Sequence, residues 1–377
     1  MSTGDARLGT AVQRGRALGR PTSRSAGLVP FRILLGALTV GVLFSVTLAV
    51  MIGSVPIPAS EVWRIAVFRT FPELGLVTPD WTGITESIVW DVRFPRVLLG
   101  AFVGAGLSIV GATLQAMVRN PLADPYVFGI TSGASVGAVA VILLGLSVFG
   151  VYSLSIAAFV GALVAFGLVF LLAQRDGVMS PVRLILAGVA ISYVLSAMTS
   201  FMVFYAANTG NGGEVRSVLF WLLGGLGGAR WIYLTLPALA VLLGTLYLVL
   251  QARSLNSLVV GEESAAGLGV DPQAFRRQLF VVTALLTGVL VAVSGGIGFV
   301  GLMLPHIVRL MVGADHRRVL PVAGLLGAIF LIWADVLART IVAPSELPIG
   351  IITAFVGAPF FIWLLRRRSV GAVGRAA

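Results

Sequence analysis

Three short stretches carry side chains whose types and spacing could act together. RFPR, residues 93–96, sets Arg93 and Arg96 on either side of a Phe-Pro pair. WADVLAR, residues 333–339, sets Asp335 and Arg339 four apart, on one face of a helix. GEES, residues 261–264, puts Glu262 and Glu263 directly after a glycine, where the first turn of a helix would favour negative charge. The chemistry on offer is recognition rather than bond-making. Two readings are open for the arginines. They form an outer docking site for a partner that offers carboxylates, taken by two-pronged hydrogen bonds, or they reach to the bilayer surface beside an ordinary ion pair.

Composition removes most catalytic classes. The chain has no cysteine, so disulfides, thiolate catalysis and cysteine-held metals are excluded. With only two histidines, His306 and His316, no metal site is expected. All 26 basic side chains are arginine, and a GxxxxGK[ST] phosphate loop needs a lysine. If nucleotide drives this protein, another subunit binds it. GIGFVG, residues 296–301, matches GxGxxG but has no preceding strand or βαβ unit, so it is expected to be a bend or a close backbone approach.

The elements that must position these residues are membrane helices. The chain of 377 residues is 58% hydrophobic and only 11% charged, with mean hydropathy +1.02. A soluble domain is about 45–50% apolar and about 25% charged. Apolar runs long enough to cross a bilayer as helices predict ten spans. They lie near 33–52, 97–118, 127–146, 154–173, 184–206, 232–250, 279–300, 301–312, 320–342 and 349–365. The Trp- and Pro-containing stretch after the first reads as an interfacial outer segment. RNPLADP, 119–125, breaks the second span at its prolines. Pro95 predicts an extended Phe94, and NTGNGGEVR, 208–216, reads as a polar loop. Gly129, Gly133 and Gly137 form a small-residue stripe for close helix packing. Two Gly-rich stretches, 104–125 and 290–317, hint at an inverted repeat.

Arginine distribution predicts both termini in the cytoplasm, with residues 1–30 a disordered basic tail and 369–377 a short cytoplasmic one. Residues 251–277 then lie inside. This segment is too polar to span and too patterned for a linker. Its Ala265, Ala266 and Gly267 leave a thin profile, so it is expected to form one or two short helices lying against a cytoplasmic partner. Few charges lie mid-membrane, chiefly Asp335 and Arg309, which disfavours a stand-alone ion-coupled secondary transporter. An intramembrane enzyme would need a clustered nucleophile, base or metal set, and none is found.

Over residues 30–368 the chain resembles the permease subunits of ABC importers for iron–siderophores, haem and vitamin B12. The matching stretches are 93–135, 183–192, 255–271, 298–321, 334–339 and 346–365. The resemblance implies an all-α, type II ABC importer permease fold of about ten transmembrane helices in a bacterial cytoplasmic membrane. It implies a non-enzymatic subunit that pairs with itself or a paralogue, with two cytoplasmic ATPases using ATP and Mg below and an extracytoplasmic substrate-binding protein above. No directly bound cofactor and no nucleic acid are expected, and an iron–siderophore is the expected cargo, with haem or vitamin B12 as alternatives. By motif position Arg93, Arg96 and Arg339 would dock the binding protein. Leu258, Gly261, Glu262, Glu263, Ala265, Ala266, Leu268 and Gly269 would couple to the ATPase. Ser180, Pro181 and Val182 would form the cytoplasmic gate, although Pro181 and Val182 stand where the vitamin B12 member has small polar residues. Met198, Met202 and Tyr205 are candidates for the pathway wall, against an ordinary place in helix packing.

Overall fold

The computed structural model describes residues 30–53, 55–175, 178–208 and 212–373. The basic tail expected at 1–30 lies outside them, apart from Pro30. In chain order the helices are α1 (Phe31–Met51), α2 (Ala59–Thr70), α3 (Gly83–Ser87), α4 (Phe94–Met117), α5 (Ile130–Leu144) and α6 (Ser153–Ala173). A two-stranded ribbon follows, β1 (Gln174–Arg175) against β2 (Val178–Met179). Then come α7 (Pro181–Asn208), α8 (Gly212–Leu222), α9 (Trp231–Leu250), α10 (Ala252–Val260), α11 (Glu262–Gly267), α12 (Pro272–Ser294), α13 (Val300–Val312), α14 (His316–Thr340) and α15 (Ile349–Val373).

Seven helices among the described residues are long and apolar enough to cross a membrane. Three shorter apolar helices, Ile130–Leu144, Val300–Val312 and Ile349–Leu364, bring the number to the ten expected. The last helix runs on to Val373, so the start of the expected tail at 369 is helical.

Helix α4 is the axis of the molecule, buried along nearly its whole length, whereas α1, α7 and α9 are mostly uncovered within one chain. It can sit there because its glycines admit a neighbour's backbone. A methyl group at Gly104 would strike the Gly327 carbonyl of α14, and one at Gly111 would strike the Gly301 carbonyl of α13. Oily side chains gain little by leaving oily lipid, so this backbone-close packing is a principal source of helix association. The predicted stripe on α5 does the same work, with Gly133 against Gly161 and Gly137 against Ala157 of α6.

Two segments break the helical run inside the bundle, and they meet. The first follows α4, where Arg119 has φ +51°. The second joins α12 to α13, from Gly295 into GIGFVG, and there Gly295 and Phe299 have φ +64° and +68°. Non-helical backbone away from water needs its polar groups matched from elsewhere. Gln115 donates to the carbonyls of Gly301 (3.1 Å) and Leu302 (3.2 Å), and Gly225 N donates to Ser294 O (2.9 Å). Ile349 N and Gly350 N reach Gly224 O and Leu223 O at 2.9 and 3.0 Å. GIGFVG is thus a bend with close backbone approach, as expected.

Part of the predicted loop at 208–216 is helical instead, because α8 begins at Gly212. Gly and Asn suggest a turn, but Val218 on the following stretch is completely buried and pulls the segment into a helix.

Candidate functional sites at the two ends of the bundle

At one end, α3 passes through a wider π-type turn, Ile88–Arg93, into α4. Phe94 is helical, with φ −58° and ψ −52°, not extended. The widened turn gives room to the ring of Pro95, which lies in the first turn of α4, so the usual clash before proline is relieved.

Arg93 and Arg96 do not project at the surface. They are 4% and 7% exposed. Arg93 donates Nη1 to Val50 O (2.8 Å) and Met51 O (3.1 Å), and Nη2 to Val55 O. It thereby closes the end of α1, whose last carbonyls have no partner within the helix. Arg96 donates Nε to both oxygens of Asp335 (3.0 and 3.1 Å) and Nη1 to both oxygens of Glu346 (2.9 Å each). Arg339 Nε lies 3.6 Å from Asp335, the predicted i,i+4 pair, and its Nη2 donates to Ala49 O. The structure brings the three arginines together, but as an internal lock between α1, α4 and α14. A charge in this interior has to be paired, and helix-end carbonyls and carboxylates are the partners within reach.

Glu346 is the outward member of this lock, with a side chain 46% exposed. It pairs with Arg96 across 250 residues, a separation that leaves no local signal in the sequence. Arg96 and Glu346 also line a cavity of about 710 Å³ together with Arg230, Trp221 and Tyr233. Nearby, tryptophans gather, with Trp63 on α2, Trp81 just before α3, Trp90 in the π-type turn and Trp231 at the head of α9. Trp231 donates to Trp90 O at 2.8 Å, and the two rings lie 4.7 Å apart. Arg64 donates to Asp80 at 2.8 Å on this surface and holds its carboxyl below the ordinary range.

The opposite end carries α10 and α11, the two short helices expected in 251–277. Gly261 separates them with φ +155° and ψ +160°, a conformation that a side chain would disfavour. Glu262 and Glu263 occupy the first turn of α11. Leu258 and Ala265 are completely buried, so they seat the helices on the bundle and cannot touch a partner. Alternation around each short helix forces this, since one face must cover the core. Glu263, Ala266, Leu268 and Gly269 are exposed. Leu268 and Val260 line a groove of about 330 Å³ with Arg253, Asn256, Asp315 and Arg317.

Two polar contacts fix this pair of helices. Asn256 of α10 donates to Asp315 (2.7 Å) and accepts from His316 N (2.9 Å) at the head of α14. Glu262 of α11 accepts from Arg276 of α12 at 2.7 Å, with Arg119 4.0 Å away. Arg276 also donates to Met179 O (2.9 Å), and Met179 N donates to Gln273 (3.0 Å). Met179 immediately precedes Ser180, Pro181 and Val182, the stretch that the resemblance marks as a gate. Ser180 and Pro181 are half-buried and Val182 is exposed at the head of α7. Sequence reasoning missed both Arg276 and the ribbon. The Asp-Gly dipeptide at 176–177, a common hairpin turn, was the available signal for the ribbon.

Met198 and Tyr205 are 50% and 63% exposed along α7, and Met202 is half-buried. Within one chain the first two therefore do not take an ordinary place in the helix packing. Phe201 and Phe204 extend the same exposed face, as Phe355 and Ile362 do on α15.

Comparison with known proteins places this arrangement. The profile of the FecCD transport family matches residues 41–367. The chain is 42% identical over 368 residues to the cobalamin import system permease protein BtuC of Halobacterium salinarum, covering 93% of this chain and 97% of that one. It is 43% identical over 331 residues to the uncharacterized ABC transporter permease protein YvrB of Bacillus subtilis, covering 87% and 91%. It is 41% identical over 287 residues to the vitamin B12 import system permease protein BtuC of Citrobacter koseri, covering 76% and 85%. A solved structure assigned to the metal-chelate type of ABC transporter, in an inward-facing conformation, superposes with TM-score 0.76 at 30% identity. It covers 89% of this chain and 99% of that one. With its ten apolar helices and the matched region spanning nearly all of them, the chain belongs to the FecCD transport family of ABC importer permeases.

Proposed function

We propose that this chain is the permease subunit of an ATP-driven importer that carries a bulky metal chelate into the cell. One observation carries the reading: a lysine-free chain without a phosphate loop presents two short, partly exposed helices at one end of its ten-helix body. A motor bound there can push on the bundle, and the groove beside Val260 and Leu268 is its seat. That end is cytoplasmic, as the arginine distribution supports. The second permease copy or paralogue packs against the exposed faces of α7 and α15, and the chelate passes between them along Met198 and Tyr205.

The binding protein docks at the Arg96 end. All three arginines are bound inside and Glu346 is the exposed member of their lock, so the contact point is the Arg96–Glu346 pair, where a carboxylate of the partner competes with Glu346. The names of the relatives favour cobalamin over the iron–siderophore expected from the sequence, and both are large metal-centred chelates. The deciding experiment reconstitutes the permease with its ATPase and binding protein in liposomes and offers radiolabelled cobalamin, ferric siderophore and haem separately. ATP-dependent accumulation of one of them is the expected result. Accumulation by the permease alone, driven by an ion gradient, would overturn the proposal.

A further inference from the structure

We infer that Arg276 is a strut that ties the α11 helix to the ribbon at the head of α7, so that the two move as one piece. The inference rests on reading α10 and α11 as the ATPase seat. Its geometry stands independently of that reading.

Arg276 lies in the second turn of α12 and is completely buried. Its planar guanidinium holds two neighbours that do not touch each other in sequence. Nη2 donates to Glu262 at 2.7 Å, at the start of α11, and Nη1 donates to Met179 O at 2.9 Å, in β2. Nε has no hydrogen-bond partner among the described residues, so the two Nη bonds carry the matching of this charge. The main-chain N–H of Met179 is held from the same helix by Gln273 at 3.0 Å. Both polar groups of one ribbon residue are therefore fixed by the first turns of α12.

Two physical properties make this a strut rather than a simple staple. A guanidinium is rigid and cannot lose its charge, so its two arms keep a fixed separation. A buried charge also cannot be left unmatched at low cost. A displacement of Glu262 then has to carry Arg276 with it, and Arg276 carries the Met179 carbonyl. Met179 is followed at once by Ser180 and by Pro181, the first residue of α7, the helix that bears Met198 and Tyr205. The α10 helix behaves differently, because Asn256 fastens it to Asp315 and His316 of α14. Of the two short helices, α11 is the one wired to the ribbon.

The test uses the full-length permease in nanodiscs. The native chain has no cysteine, so cysteines replacing Val178 and Ser264, both exposed, take spin labels without a background. Pulsed EPR should give one narrow distance population in the parent. Arg276→Gln should broaden it or add a second population. The exchange Glu262→Arg with Arg276→Glu restores an ion pair between α11 and α12 but removes the donor to Met179 O. It should recover thermal stability while the distribution stays broad. If the exchange narrows the distribution again, Arg276 is only a staple and the inference fails. Gln273→Ala, which keeps the strut and removes the companion bond, should broaden the distribution less than Arg276→Gln. An equal effect would also count against the strut.

With ATPase and binding protein added, chelate moved per ATP should fall about ten-fold in Arg276→Gln while hydrolysis continues. A parent-like ratio would overturn the coupling role. Absence of ATP-driven uptake in the parent would sink the proposed function instead, and the EPR measurement would still judge the strut.

Discussion

Buried arginines sit at both ends of this molecule, and the two ends use them differently. Arg96 is held by two carboxylates, Asp335 and Glu346, and Asp335 also faces Arg339. Arg276 is held by one carboxylate and one main-chain carbonyl, which belong to two separate short elements. The first arrangement fastens long helices that already pack through glycine. The second connects pieces that have little else in common. One residue type in one kind of interior is thus a lock when its partners are fixed and a transmission element when they are not.

The sharpest way to break the comparison is Asp335→Ala. It leaves Arg96 and Arg339 facing each other without their shared carboxylate, which costs about 3–5 kcal/mol for an unmatched buried charge. Folded permease recovered from membranes should fall steeply, as measured by fluorescence-detected size exclusion and thermal unfolding. Glu262→Ala should cost less, because the Glu262 side chain is 39% exposed, so water can take its place beside Arg276, which also keeps Met179 O. Its effect should appear first in transport per ATP. An equal loss of folded protein from both variants would erase the distinction between lock and strut.

Glu346→Gln sharpens the docking half of the comparison. It keeps an acceptor for Arg96 but gives up the charge that competes with a partner carboxylate. Binding-protein affinity should rise several-fold in low salt and converge on the parent in high salt, read by surface plasmon resonance. A fall in affinity would mean that Glu346 itself touches the partner.

The smallest effect is expected on the exposed surface. Arg64 and Asp80 pair with side chains 41% and 64% exposed, and screened pairs of this kind add little. Asp80→Asn should leave thermal unfolding unchanged within error near neutral pH. The Arg64 hydrogen bond depresses the Asp80 pKa below 3.8, so any contribution is present above that value and is lost as pH falls through the lowered one.

Much of the fold was legible because the sequence writes it in long runs. Apolar stretches and proline breaks place ten apolar helices, and Gly261, between Val260 and Glu262, places the α10–α11 break. The i,i+4 spacing of Asp335 and Arg339 was readable for the same reason, since it is local. The failures have one character. Part of the Gly- and Asn-rich 208–216 stretch became the start of α8 when a buried Val218 decided the matter. Phe94 became helical when a widened turn made room for Pro95. Arg93 and Arg96 turned inward toward partners 38–43 and 239–250 residues away.

By itself, then, the sequence determined the membrane character of this protein, the number of its apolar spans and its lack of a phosphate loop. Those follow from hydropathy, length and the absence of lysine, and they need no contact map. Only the tertiary structure decided which charges meet. In an interior that cannot solvate an ion, each arginine must find its match wherever the fold brings one, and Glu346 and Met179 became partners through packing rather than through proximity along the chain.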